Sequence, residues 1–393
     1  MIEILPFNKT LFDDFNLDKS KLTKYCYIND IDITSKLLTI ELPISNTRIA
    51  LKNIFDFLTY IDNKLSQNNN STIIPISSSK LIEYFSRDTY KQYMDILSEL
   101  NIITKVPYDN GSFYQPGSLY LQYRVHNNYI NSENLGIIIL DNDRSKDEFS
   151  NEIIELDDRY IKTIKSLEIN IKEAIKSEIE YFKTNNLSVS TLRNRISRLF
   201  YTKRKRFIKQ GKNVNRIYHS FSNVSKVSRK HINIKMVDVD IKNCQPLLLV
   251  YLLKNNNMLI DDNYQSDCEE GLFYENFIGI NGFDRDQSKV ALYKNIFFGF
   301  NRNSKFNKRF NELYPNTWNL LNEINNSDVS LASKLQNIES ELFNNLIPKK
   351  SKHYFTLFDA IYFDNINDVK YIVKEINEFF NNLNIKVKTE IGL

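Results

Sequence analysis

Two aspartates stand in an otherwise apolar run, "MVDVDIKNCQPLLLVYLL" at 236–253, and a third stands in "KHYFTLFDAIYFDN". Alternation through "HINIKMVDVDI" puts Val237, Val239 and Ile241 on one face of a strand and Asp238 and Asp240 on the other. Unpaired buried carboxylates are costly, so the acidic face must meet solvent, cations or a metal. Tyr354–Phe363 also has a strand pattern, with Asp359 in mid-run. Two strands that each present an aspartate at a shared edge can hold a pair of Mg²⁺ ions for in-line phosphoryl transfer. The same Asp240 could instead cap the next helix, since "NCQPLLLVYLL" reads as a helix with Pro246 near its first turn.

Between the acidic strands lies "FDRDQSKVALYKNIFFGFNR". Arg285, Lys289, Tyr293 and Phe297 recur every four residues, which aligns them on one helix face. Two cations followed by aromatics suit a nucleotide, with phosphates on Arg and Lys and a ring on sugar or base. An ordinary amphipathic helix, its charge offset by Asp284 and Asp286, fits the spacing equally well.

These segments, in this order, resemble the palm and fingers of family A DNA polymerases and of single-subunit phage-type RNA polymerases. The first motif matches at "VDIKNCQP", the second at Arg285, Lys289, Tyr293 and Phe297–Gly299, and the third at "LFDAI". The resemblance spans roughly 190–393. It implies an α+β right-hand palm, an antiparallel sheet with helices, carrying small fingers. It also implies that Asp240 and Asp359 hold two Mg²⁺ ions, or Mn²⁺, with the Ile241 carbonyl as a further ligand. Arg285 and Lys289 would grip a triphosphate, Lys289 would protonate the pyrophosphate leaving group, and Tyr293 would stack on the incoming nucleotide. "NRIYHSFSNVSKVSR" is similar to the family segment that places residues near primer or template, here Arg216, Asn223 and Arg229. "LASKLQNIESELF" is similar to the helix whose Gln, here Gln336, lies near the minor groove at the primer end.

Several positions depart from the family pattern. Phe358 replaces the usual His. "IFFG" has one residue too many, so Phe297 and Phe298 compete for one role. Gln245 stands where DNA polymerases of the family often place a Glu that excludes a ribose 2′-OH. The implied activity is DNA-directed DNA polymerisation on primer-template DNA with nucleoside triphosphates, in a phage, plasmid or other mobile element. Alternatives are an RNA polymerase or primase, and a non-catalytic DNA-binding initiator or regulator with a degenerate palm.

Stepping upstream, charge is uneven. The chain has 393 residues and a net charge of +4, yet the stretch from Lys183 to Lys235 holds fifteen Lys or Arg and no Asp or Glu. A cationic block on an otherwise acidic chain points to a polyanion. Within it, Arg204, Lys205 and Arg206 form a compact cluster beside Phe200, Tyr201 and Phe207, suited to sequence-independent phosphate contacts. Helix, short strand, two helices and a hairpin over 46–130 resemble a winged helix, whose second helix near Thr89–Leu100 offers Arg87, Lys91 and Gln92 to a major groove. Residues 148–185 read as one long helix or two shorter ones. The expected domains are thus an N-terminal extension (1–45), a winged-helix-like domain (46–130), a helical connector or thumb (131–188) and palm with fingers (189–393). Asn68–Asn70 and Asn255–Asn257 read as loops. Cys26, Cys244 and Cys268 are too scattered for a disulfide framework or a zinc site. No leader and no membrane-spanning run is apparent, so the chain is expected to be cytoplasmic, without membrane partners.

Overall fold

The structure, a computed structural model, describes residues 2–6, 25–67, 71–109, 111–113, 120–132, 134–140, 148–153, 155–325 and 329–392. The Asn68–Asn70 loop, most of the long hairpin loop and much of the expected N-terminal extension lie outside the described residues. The fold is α+β, with several small antiparallel sheets. Contacts divide the chain into two units. One comprises 1–149, 168–206 and 223–233, and the other comprises 150–167, 207–222 and 234–393. The helix Val189–Arg204 therefore belongs to the first unit, and the expected palm boundary at 189 falls within that unit.

In the first unit, helix Thr47–Gln67, strand Ile73–Ser77, helix Ser78–Glu99 and strands Ile103–Val106 and Tyr120–Val125 follow in the expected order. The three strands form one sheet, with Tyr120–Val125 in the middle. Ser77 caps the long helix by accepting from the Lys80 N–H. Ser86 breaks that helix with φ 66°, which separates the two helices read from the sequence. Leu51, Phe55, Leu58, Leu81, Phe85, Tyr93 and Leu97 meet in the core at helical spacing. A second sheet pairs Leu135–Leu140 with both Ile2–Pro6 and Tyr25–Asp30, so the N-terminal segment is joined to the start of the expected connector. Residues 148–185 hold two shorter helices, Asp158–Ser166 and Ile171–Asn185, rather than one long helix.

Arg193 is fully buried in the first unit. Its guanidinium donates to both Asp62 oxygens at 2.9–3.2 Å and to the Tyr129 carbonyl at 2.7 Å. Arg195 reaches Glu178 at 2.5 Å, and the Ser225 and Ser228 hydroxyls donate to the same buried carboxylate. Part of the cationic block is thus matched inside the unit by acids distant in sequence, which a count along the chain cannot register.

In the second unit, four strands run antiparallel in the order Tyr354–Leu357, Ala360–Phe363, Val237–Ile241, Thr389–Gly392. The continuous strand expected over Tyr354–Phe363 is instead a hairpin, turning at Phe358 and Asp359. Helices Cys244–Asn255, Leu331–Asn345 and Val369–Asn381 belong to the same unit. Val237, Val239 and Ile241 are buried while Asp238 and Asp240 are half-buried, as the alternation predicts. Opposite Asp238 sits Gly392, where a Cβ would collide with the Asp238 carboxylate. All three cysteines are buried. Among the described residues no helix is long and apolar enough to cross a membrane.

Candidate functional site

Asp240 pairs with Ala360 across the sheet, and the Ile241 N–H donates to the Asp359 carbonyl at 3.4 Å. Two acids separated by over a hundred residues of chain therefore stand together, Asp240 on its strand and Asp359 in the turn that leads into the neighbouring strand. Phe358, first residue of the two-residue turn, has φ 57°. Left-handed backbone is uncommon for a bulky residue, and such conformations gather at functional sites. Its ring lies 4.8 Å from the Arg216 guanidinium carbon and packs edge-on against Tyr218. Those contacts brace the turn that presents Asp359.

Electrostatically the pair is unsettled. Burial, then the neighbouring Asp359 charge, pushes the Asp240 carboxyl up to about 7, against the pull of Lys289. Burial raises Asp359 as well, with Lys289 and Arg216 opposing. Asp240 Oδ1 is buried and has no hydrogen-bond partner. A buried acceptor beside a second carboxylate fits a cation, because a cation would satisfy the oxygen and relieve the repulsion between like charges. Among the described residues no group of three or more His, Cys, Asp or Glu is placed to hold a metal. Two carboxylates are nonetheless what Mg²⁺ uses when waters and substrate phosphates complete its shell.

A third acid joins the site from helix Leu331–Asn345, and sequence reasoning missed it. Glu339 is 1% exposed. Its oxygens accept from Arg216 Nη2 at 2.5 Å and from Gln245 Nε2 at 2.6 Å. Burial pushes its carboxyl up to about 7, with Arg216 pulling down and Asp359 pushing up. The only signal in the sequence was helical phase: Glu339 follows Gln336 by three residues and so shares its face. Arg216, half-buried, and Gln245, buried, both bind Glu339, and the Arg216 Nε and Gln245 Oε1 atoms are unpaired. Gln336 is half-buried, and its carbonyl accepts from the Ser340 hydroxyl.

The segment carrying the cations departs from a uniform helix. Asp284 caps Arg285–Leu292 through a reciprocal bond with Gln287. The chain then makes a π turn over Tyr293–Phe297, closed by the Phe298 N–H on the Tyr293 carbonyl at 2.7 Å. Five-residue periodicity stacks Phe298, rather than Phe297, on Tyr293, with centroids 5.1 Å apart and planes 15° apart. Phe297 goes into the core, 1% exposed and edge-on to Phe273, while Phe298 is 47% exposed. This accommodates the extra residue in "IFFG" and removes Phe297 from the nucleotide-facing set. Gly299 must lack a Cβ, which would lie 2.5 Å from the Lys294 carbonyl oxygen. Arg285 is engaged by Glu275 at 2.8 Å. The Lys289 ammonium lies 5.6 Å from the Tyr274 ring and 5.8 Å from the Tyr293 ring, and its charge reaches both aspartates. Tyr274 donates to the Tyr293 hydroxyl at 3.2 Å. Burial raises the Tyr293 hydroxyl, and the Asp359 charge pushes the same way.

Asp240, Ile241, Asp359, Lys289 and Tyr293 therefore converge, with Gln245 and Arg216 joined to them through Glu339. Asn223, Arg229, Lys205 and Arg206 belong to the first unit and are described with it. There Lys205 and Asn223 are exposed, the Asn223 carbonyl accepts from Arg198 at 3.4 Å, and Arg229 donates to the Val224 carbonyl at 2.5 Å. Arg206 is half-buried, and the Arg204 side chain lies outside the described residues. Compared with known proteins, the chain matches no family model and no curated protein.

Proposed function

We propose that the second unit is a polymerase palm with reduced fingers and catalyses template-directed nucleotidyl transfer, with DNA as the principal product. The observation that carries this reading is the buried, unpartnered Asp240 oxygen beside Asp359 in the turn of the neighbouring hairpin, within electrostatic reach of Lys289. Asp240 and Asp359, with the Ile241 backbone, would hold Mg²⁺. When bound, Mg²⁺ supplies charge neutralisation for in-line phosphoryl transfer. Lys289, whose charge acts on both aspartates, binds the triphosphate and gives the departing pyrophosphate its proton. Tyr293 and Phe298 form a stacked aromatic step for the nucleotide base. Arg285, balanced by Glu275, orients phosphate rather than neutralising the site alone. The winged-helix-like module and the cationic residues of the first unit would bind nucleic acid.

The test is incorporation of labelled dNTPs or NTPs on single-stranded template, with and without primer, in Mg²⁺. Asp240→Ala and Asp359→Ala should each abolish incorporation while nucleic-acid binding persists. Retained incorporation in either variant refutes the assignment. A preference for NTPs without primer would make the protein a primase or RNA polymerase. Binding with no incorporation by the unmodified protein would favour a non-catalytic initiator, the reading that the Phe358 substitution supports.

A further inference from the structure

The first unit carries a group of tyrosines that the palm chemistry does not use. Tyr60 and Tyr84, from the helices Thr47–Gln67 and Ser78–Glu99, have ring centroids 5.8 Å apart. Lys80 places its ammonium 5.4 Å from the Tyr60 ring and 5.0 Å from the Tyr84 ring, and Lys64 lies 5.8 Å from Tyr60. Two further tyrosines border this pair. Tyr120 pairs with Ser77, the cap of the helix that carries Lys80 and Tyr84. The helix Val189–Arg204 packs along Thr47–Gln67 in a register set by Asn194 to Ser66 and Arg198 to Asn63, at 2.8 Å each. Ascending numbers on one helix meet descending numbers on the other, so a further turn brings Tyr201 level with Thr59 and Tyr60. Electrostatics agree with that placement: burial raises both the Tyr60 and Tyr84 hydroxyls, with Tyr120 adding to the first and Tyr201 to the second. Tyr120 is 51% exposed and Tyr201 is 43% exposed.

We propose that the surface formed by Tyr60, Tyr84, Tyr120 and Tyr201 with Lys64 and Lys80 binds single-stranded nucleic acid by base stacking. Two exposed rings, Tyr120 and Tyr201, flanking two half-buried ones beside ammonium groups are the components of a sequence-tolerant single-strand platform: each base has a face to stack, and each linking phosphate needs a cation. The nearby carboxylates are matched by lysines, Glu83 by Lys80 at 2.7 Å and Asp56 by Lys52 at 2.8 Å. The neighbouring stretch from Lys183 to Arg206 contributes no acid at all. Protein interfaces are depleted in lysine, whereas here lysines stand among the rings. This surface lies within the first unit and does not depend on the nucleotidyl-transfer reading.

The experiment measures anisotropy of a labelled oligo(dT), an oligo(U) of equal length and a blunt duplex on the full chain, without nucleotide or divalent cation. The double variant Tyr120→Ala/Tyr201→Ala should weaken single-strand binding by about tenfold or more. The double variant Tyr120→Phe/Tyr201→Phe should stay within about twofold of the unmodified protein, because the rings are kept. Duplex binding should change little. Three results would overturn the proposal: no single-strand binding by the unmodified chain, unchanged binding after ring removal, or equal losses for Ala and Phe. Asp240→Asn serves as the separating control. It removes incorporation if the palm reading holds, yet leaves this binding intact, so either idea can fail alone.

Discussion

Two charged groups, Arg193 in the first unit and Asp240 in the second, are handled in opposite ways. In the first, Arg193 has no exposed surface, yet its guanidinium is answered by Asp62, by the Tyr129 carbonyl and by the Tyr129 ring 4.0 Å away. In the second, Asp240 is left with an unanswered oxygen, Gln245 with an unanswered carbonyl and Arg216 with an unanswered Nε. A closed set of partners holds a fold together. An open one stores unfavourable energy that a ligand can release. The contrast separates a closed arginine site from an open carboxylate, although each is assembled from remote parts of the chain.

The sharpest way to break the contrast is to remove the acids. Asp240→Asn should abolish incorporation while raising thermal stability, since it deletes a charge that the fold does not satisfy. Loss of activity accompanied by lower stability would show that Asp240 is a structural group. Next in size, Arg193→Met should destabilise the protein by about 3–5 kcal/mol in urea unfolding, because Asp62 would be left buried without its countercharge. Asp62→Leu combined with Arg193→Met should recover much of that loss, and failure to recover would mean that the pair is more than a matched charge. Phe297→Ala should cost about 3–4 kcal/mol as a core truncation. Phe298→Ala should leave stability within about 0.5 kcal/mol and raise KM for the nucleotide. Equal stability losses for the two would refute the π-turn assignment.

The smallest effect is a pH slope. Asp240 and Glu339 both have carboxyls raised to about 7 in the folded chain. The folded state therefore holds protons that the unfolded state has already released, and stability falls as pH rises from about 4 to about 7. Saturating Mg²⁺ should lower that slope by favouring the ionised form of Asp240. Melting temperature against pH, with and without Mg²⁺, checks it. A slope of opposite sign would mean that these carboxylates are stabilised as anions.

Much of this was legible along the chain. Period-two alternation gives the strand of Asp240, and helical periodicity gives Thr47–Gln67 and the helices on either side of Ser86. What escaped depends on partners remote in sequence or on backbone states that residue type conceals. Glu339 is defined by Arg216 and Gln245, 123 and 94 residues away. Arg193 reads as part of a cationic block because Asp62 is 131 residues distant. Tyr354–Phe363 reads as one strand because Phe358 is a poor sign of a turn: neither its bulk nor its β preference announces a positive φ.

The π turn has one further consequence. Tyr293–Phe297 stores one surplus residue inside a helix, and the π spacing brings Phe298 over Tyr293. Deleting Asn295 would place Phe298 four residues after Tyr293, so an ordinary α turn would keep the same ring in the stack and the surplus turn would vanish. The aromatic step is thus matched to the π turn, and the shortened segment tests whether the ring pair survives when the surplus residue is gone.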